Sequence, residues 1–307
     1  MGPKKLYQEP DMRSHKLSQR IIMLTIFYVW LLPLFDNNVA AAQALLRLAI
    51  LPCSDVVISF KKFHPLITYL EQETGFNIQL LVPADFDEFE RSMNNGDIDF
   101  AFQDPHTYVR LADLYDQNAL LQALNREGTT IQAGVVVVRK ESGIHSMEDL
   151  RGKNVMFGPK LSTTKWLAAK LLFEEHKINI DHDLRTYSNG GCCEDIAFHV
   201  YLKTVDAGVV CDHFLETHLN KQQELGFEAS QLTIIARTNA VPTRVFAARK
   251  ALHSDILSKV NRALLLLDNN DPAHAQILQS AEIGGFRASS DADYDDIRAL
   301  ISSIQEE

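Results

Sequence analysis

The sequence has no surplus of basic residues: 30 Lys and Arg stand against 40 Asp and Glu, for a formal net charge of −10 over 307 residues. Without a basic stripe, nucleic acid is excluded as the partner. The chain also lacks an internal repeat, a low-complexity segment and an apolar run of the ~20 residues that a spanning helix needs. Its main apolar run, IIMLTIFYVWLLPLF over 21–35, is broken at Pro33 and ends at Asp36. Cysteine is sparse, with four in all, and no general base accompanies the thiols at a spacing typical of nucleophilic enzymes, which argues against an enzyme.

What precedes and follows the apolar run gives it a meaning. Arg13, His15, Lys16 and Arg20 come before it and the small residues VAAAQA come after it, over 39–44. Basic, apolar and small-residue regions in that order make residues 1–44 a secretory signal peptide, with cleavage expected after Ala42 or Ala44. Retention as an anchor is the competing reading. Glu9 and Asp11 are atypical of a signal's head, which leaves Met12 as an alternative start, and Cys53 lies too far past the run for lipid attachment. The remaining chain of about 265 residues is exported and soluble on this reading, with no stable membrane insertion after cleavage, and long enough for two packed domains.

From Leu46 onward strand and helix signals alternate, the pattern of parallel sheets covered by helices and thus of the α/β class. Strands are expected at 46–52, 78–83, 99–103, 134–139, 154–157, 184–187, 207–211, 232–236 and 244–248. Helices are expected at 63–74, 86–94, 105–114, 164–176, 194–203 and 253–267, with Asp85, Ser162 and Thr163 as starts and Gly75 and Gly96 as stops. The very apolar 135–138 followed by a new unit marks a first crossing between domains, and 232–242 marks a second. That divides the chain into a first lobe over 45–133, a second over 134–238, and a return to the first over 239–307 with C-terminal helices.

Four stretches carry a resemblance: YLEQETGFNIQLLVPADFDEFERSMNNGDIDFAFQDPHTYV, IHSMEDLRGKNVMFGPKLSTTKWLAAKLLFE, VDAGVV and AVPTRVFAAR. In this order the chain resembles the phosphonate/phosphite/phosphate-binding group of periplasmic solute-binding proteins, from about Leu46 to Leu267. The resemblance implies a type II two-lobed fold that closes on a small oxyanion, no catalysis, no cofactor, and delivery by a monomer to an ABC-transporter permease. A ligand-binding sensory module for a membrane kinase would share the fold.

In open α/β sheets ligands sit beyond the carboxyl ends of the strands, where helices begin with unpaired N–H groups. That rule selects the loops at 53–55, 103–106, 159–164, 189–193 and 211–213, and with them Ser54 and Gln103. GPKLSTTKW is the strongest anion candidate, because Ser162, Thr163 and Thr164 place three hydroxyls at a helix start where capping needs one. The family's loop ends in Ser-Gly; here Thr164 and Lys165 stand instead, and Lys165 either adds charge or faces solvent. The resemblance puts Tyr108 in the cleft and Asp206 against the polar end of the ligand. Core packing and a strand-entry turn are the structural alternatives for the two. The acids of DFDEFE, over 85–90, form a solvated helix face.

All four cysteines fall on the ligand edge: Cys53 after the first strand, Cys192 and Cys193 after two glycines, and Cys211 at the end of a strand. Relatives often carry His where this chain has Cys192. Three readings stand side by side. A disulfide from Cys211 to Cys192 or Cys193 requires the helix start to lie near the neighbouring strand. A soft-metal site would take Cys53, His106, Cys193 and Cys211. A thiol at a helix N-terminus would be activated for redox chemistry.

Overall fold

The computed structural model describes residues 1–2, 45–51, 56–215 and 227–305. The signal-like segment, Cys53 and Ser54 lie outside the described residues. Among those described, no helix is long and apolar enough to cross a membrane.

The chain builds two mixed sheets. It runs from β1 (Leu45–Ile50) through α1 (Val56–Thr74) to β2 (Asn77–Leu81), then through α2 (Phe86–Asn94) to β3 (Phe100–Gln103), α3 (Pro105–Arg110) and β4 (Leu120–Leu124). A short strand β5 (Ile131–Gln132) leads to β6 (Gly134–Arg139), β7 (Asn154–Phe157), α4 (Ala168–Glu175), β8 (Thr186–Asn189), α5 (Cys193–Tyr201), β9 (Ala207–Cys211) and β10 (Leu232–Arg237). The chain returns through β11 (Val241–Pro242) to β12 (Val245–Ala248), α6 (Ser254–Leu265), α7 (Pro272–Ala281), β13 (Gly285–Ser289) and α8 (Asp295–Gln305).

The first sheet has the order β13-β4-β12-β3-β1-β2 and the second β10-β6-β9-β7-β8. Neither is purely parallel. In the first, β1 pairs parallel with β2 and β3, while β12 runs antiparallel to both β3 and β4. In the second, β7 pairs parallel with β8 and β9, while β6 runs antiparallel to β9 and β10. The chain crosses between the sheets twice, and the crossings pair with each other antiparallel, Val241 opposite Gln132 and Pro242 opposite Ile131.

Period-two alternation decides what each face buries. Leu46, Leu48, Phe100, Phe102 and Phe246 face a core completed by Phe63, Leu66 and Leu70 of α1, Val260 and Leu264 of α6 and Leu278 of α7. The small neighbours Ala49, Ala101 and Ala247 face the other way, where they leave room for the rings of Tyr108, Tyr115 and Tyr294. In the second sheet Val136 and Val138 enter one core, and Val135 and Val137 enter the other. Burial on both faces is why this strand reads as an unbroken apolar run. Truncating one of these phenylalanines to alanine costs about 3–5 kcal/mol.

Helix starts follow the capping chemistry of the sequence. Asp85 accepts from the Glu88 N–H at 2.8 Å, and the Glu88 carboxylate reaches back to the Ala84 N–H at 2.7 Å. Ahead of α4, Ser162 accepts from the Lys165 N–H at 3.1 Å. The turn that follows is π-helical over Thr163–Leu167, with the Leu167 N–H on the Ser162 carbonyl at 3.2 Å. Such widened turns shift the side chains they carry relative to a regular helix.

Candidate functional site

A cavity of about 440 Å³ lies between the two sheets, within the usual range for a small-molecule site. From the second sheet's side its wall includes Ser162, Thr164, Lys165, Cys193, Cys211 and His213. From the first it includes Lys62, Gln103, Asp104, Arg126, Arg244 and Glu282. The wall is mixed in charge, with Lys160, Asp85 and Glu194 also in it, and Glu282 is paired with Lys62 at 3.0 Å.

The three hydroxyls at 162–164 divide into distinct roles. Ser162, a residue of the cavity wall, accepts a hydrogen bond from the helix start. Thr163 is fully buried and turned away from the cavity, against the first sheet. Its N–H donates to Asp104 Oδ1 at 2.9 Å, its hydroxyl meets the same oxygen, and Thr163 Oγ1 accepts from the His106 N–H at 2.9 Å. Thr164 lines the cavity with its hydroxyl buried and without a hydrogen-bond partner among the described residues. A buried hydroxyl left so costs about 1–3 kcal/mol, so its position is maintained by its surroundings. One of them is Gly134 at the head of β6, where an added Cβ would stand 2.8 Å from the Thr164 carbonyl oxygen.

Lys165 does not face solvent. The residue is 5% exposed, and Nζ donates to the Gly191 carbonyl at 2.8 Å. Gly158 makes that path possible, because a Cβ there would come within 2.4 Å of Lys165 Cβ. Opposite, the Arg244 guanidinium lies 5.6 Å from the centre of the Phe102 ring and makes no hydrogen bond or ion pair among the described residues. Gln103, 1% exposed, accepts from the Tyr115 hydroxyl at 3.0 Å, while its amide nitrogen has no partner among the described residues.

Two residues expected at the ligand, Tyr108 and Asp206, are not part of the cavity wall. Tyr108 is fully buried outside the cavity, its hydroxyl donating to Asp291 at 2.6 Å and its ring against Tyr115 and Tyr294. Asp206 precedes β9 at the end away from Cys211, and accepts from the Asn154 N–H at 2.9 Å. Five residues of strand at ~3.3 Å each separate it from the cavity edge. Tyr108 has the contacts of a packed core residue and Asp206 those of a strand-entry residue.

The cysteines also divide. Cys192, 7% exposed, precedes α5 and is not part of the cavity wall, whereas Cys193 and Cys211 are. Among the described residues, Cys192, Cys193 and Cys211 form no disulfide. The Cys211 N–H donates to Cys193 Sγ at 3.1 Å. The strand before α5 is not the neighbour of β9, since β7 lies between β8 and β9, and the approach comes instead from α5 packing over β9. The hydrogen bond with Cys211 and the nearby Lys165 charge pull the Cys193 thiol down to about 7 against its burial. Beside it, burial works against the charged form of His213, but the Asp212 carboxylate and Cys193 raise its pKa above 6.5.

His106 does not join the thiols. Burial, with Arg110 nearby, lowers it to about 4, which keeps the ring neutral. Among the described residues no three His, Cys, Asp or Glu side chains form a metal-binding group. Asp104 takes all its donors on Oδ1, and burial raises its pKa. The sequence reading missed Lys62, Arg126 and Arg244. Arg244 was within reach of the rule that located the other loops: β12 is antiparallel, so its beginning shares an edge with the ends of the parallel strands.

Known proteins give this geometry a context. The chain is 23% identical over 271 residues to the phosphate-import protein PhnD of Mycolicibacterium smegmatis, covering 82% of this chain and 84% of that protein. It is 23% identical over 228 residues to the tetrathionate sensor histidine kinase TtrS of Salmonella typhimurium, of whose length it spans 37%. The solved structure of PhnD1 from Prochlorococcus marinus in complex with methylphosphonate shares the fold, with a TM-score of 0.74, 16% identity, and coverage of 86% of this chain and 99% of that one. Two α/β sheets linked by two crossings form the type II periplasmic-binding fold. Over residues 48–294 the chain matches the family model for the periplasmic phosphonate substrate-binding protein of ABC transporters, and it belongs to that family.

Proposed function

We propose that this chain binds a small tetrahedral oxyanion of the phosphonate, phosphite or phosphate class between its two sheets and delivers it to a membrane permease without turnover. The observation that carries this is Thr164, a residue of the cavity wall whose buried hydroxyl has no partner among the described residues, beside the Ser162 hydroxyl at a helix start. An oxyanion would accept from these donors and from the Gln103 amide, with Lys165 and Arg244 supplying charge. The two sheets act as lobes over 45–133 with 239–307, and over 134–238. Closing them excludes water and strengthens each hydrogen bond. PhnD1 is solved with methylphosphonate and the mycobacterial relative is named for phosphate import, which supports the ligand class. A kinase partner is the weaker reading, because the sensor is matched over only 37% of its length.

Calorimetry of the mature protein with methylphosphonate, phosphite, phosphate and sulfate tests this. Binding of at least one phosphorus oxyanion, lost on Ser162→Ala with Thr164→Val, is expected. No heat and no thermal shift with any of the four would refute the reading.

A further inference from the structure

We propose that Cys193 and Cys211 form a reactive dithiol in the wall of the anion cavity, which captures anions bearing a sulfur–sulfonate bond, R–S–SO3⁻. The proposal rests on the oxyanion reading of the cavity and extends its ligand class. The oxyanion donors alone would suit an inert ligand, and they give no reason for two thiols to line the same wall.

The thiols come from different elements, α5 and the end of β9, and are brought together by the bond from the Cys211 N–H to Cys193 Sγ at 3.1 Å. A thiolate at Cys193 gains from that N–H and from the start of a nine-residue helix. Lys165 links the two chemistries. Its Nζ is held on the Gly191 carbonyl, two residues before Cys193, while its backbone forms part of the turn that presents Thr164. The downward shift of the Cys193 thiol to about 7 agrees with this placement.

The ligand class follows from charge and shape. Lys165 and Arg244 in the wall favour an anion beside them, and a sulfonate head has the three-oxygen tetrahedral form of a phosphonate. With that head on Ser162, Thr164 and Lys165, the adjoining divalent sulfur is the electrophile nearest Cys193. Attack by the Cys193 thiolate breaks the S–SO3 bond, forming Cys193–S–S–R and releasing sulfite. Cys211 then attacks Cys193 Sγ, forming the Cys193–Cys211 disulfide and releasing R–SH. In sum, R–S–SO3⁻ and two thiols give one disulfide, R–SH and HSO3⁻. The ligand is the oxidant, so no other co-reactant is needed.

The test uses S-sulfocysteine as the probe on reduced, full-length mature protein, with methylphosphonate binding measured in parallel by calorimetry. The expected result is one sulfite released per chain, loss of the Cys193 and Cys211 thiols by peptide mapping, and slowing by excess methylphosphonate. Cys211→Ser should stop at a cysteinyl adduct on Cys193. If methylphosphonate binds yet no sulfite is released, or if the adduct maps to Cys192 or Cys53, the dithiol proposal falls and the oxyanion reading stands. If sulfite release is indifferent to methylphosphonate and that ligand does not bind, the shared premise is wrong and both fall.

Discussion

Replacing Thr164 by valine keeps the side chain's shape and removes one hydroxyl, so the two states of the protein should respond in opposite directions. Without ligand, the hydroxyl is buried and has no partner among the described residues. Such a group costs about 1–3 kcal/mol, and a methyl in its place recovers part of that. A gain of about 1 kcal/mol corresponds to a rise of about 2–4 °C in Tm for a protein of this size. With an oxyanion bound, the same hydroxyl donates a charge-assisted hydrogen bond of about 1.5–3 kcal/mol, so Kd should rise roughly 10- to 150-fold. Differential scanning calorimetry of the ligand-free variant and titration calorimetry with methylphosphonate read the two effects separately. The reasoning is refuted if Kd changes by less than about threefold, or if the variant melts below the wild type without ligand. The second result would mean that the hydroxyl already has a stabilising partner.

Arg244→Gln should weaken oxyanion binding and flatten its dependence on ionic strength, because it removes a cavity cation that has no ion pair among the described residues. An unchanged salt slope would argue against contact between ligand and guanidinium. Tyr108→Phe should cost about 1 kcal/mol of stability, through loss of the bond to Asp291, and leave Kd unchanged. Weakened binding in that variant would restore Tyr108 to the site. For His106 the folded pKa of about 4 lies below the ordinary 6.5, so its contribution to stability is complete above pH 6.5 and is lost as pH falls through 4. The difference of 2.5 units between those values sets a ceiling of about 3 kcal/mol, and His106→Gln should remove that part of the acid slope in urea melts followed from pH 7 to pH 4. Asp104, raised by burial, contributes the opposite slope and remains in both proteins. Identical slopes would show that His106 titrates alike folded and unfolded.

The parts that the sequence makes legible are those where one physical cause dominates. Valines 135–138 announce a strand buried on both faces, and Ser162 announces a helix start, because patterning and capping act locally. Strand β4 was missed: LLQAL has the composition of a helix, and it becomes a strand through pairing with β12 and β13, over a hundred residues distant. Cations met a similar obstacle, since Lys62 lies within a helix and Arg126 between two strands, outside the strand-end rule. For Tyr108 and Asp206 the family position outweighed direct evidence from the residues. Asp206 precedes its strand, which the strand-end rule alone places at the edge away from the cavity. The cysteines were legible as neighbours but not in their division, because the burial of Cys192 and the accessibility of Cys193 differ by one step around a helix.

The strand order carries a consequence for how the chain must assemble. Strands β6 to β10 occupy one continuous stretch, Gly134–Arg139 through Leu232–Arg237, so the second sheet can close as soon as that stretch exists. The first sheet cannot. Its central strand β12 fills the gap between β3 and β4, and β13 covers the far edge of β4, so both wait for the last quarter of the chain. Until Val245–Ala248 arrives, β3 and β4 each present an unpaired apolar edge, the kind of surface that recruits strands from other molecules. Pairings of such sequence separation form slowly. A chain interrupted before β12 should therefore retain a folded second sheet and aggregate through the first, and a holding chaperone that delays the edges of β3 and β4 should raise the yield of intact protein more than one that acts on residues 134–237.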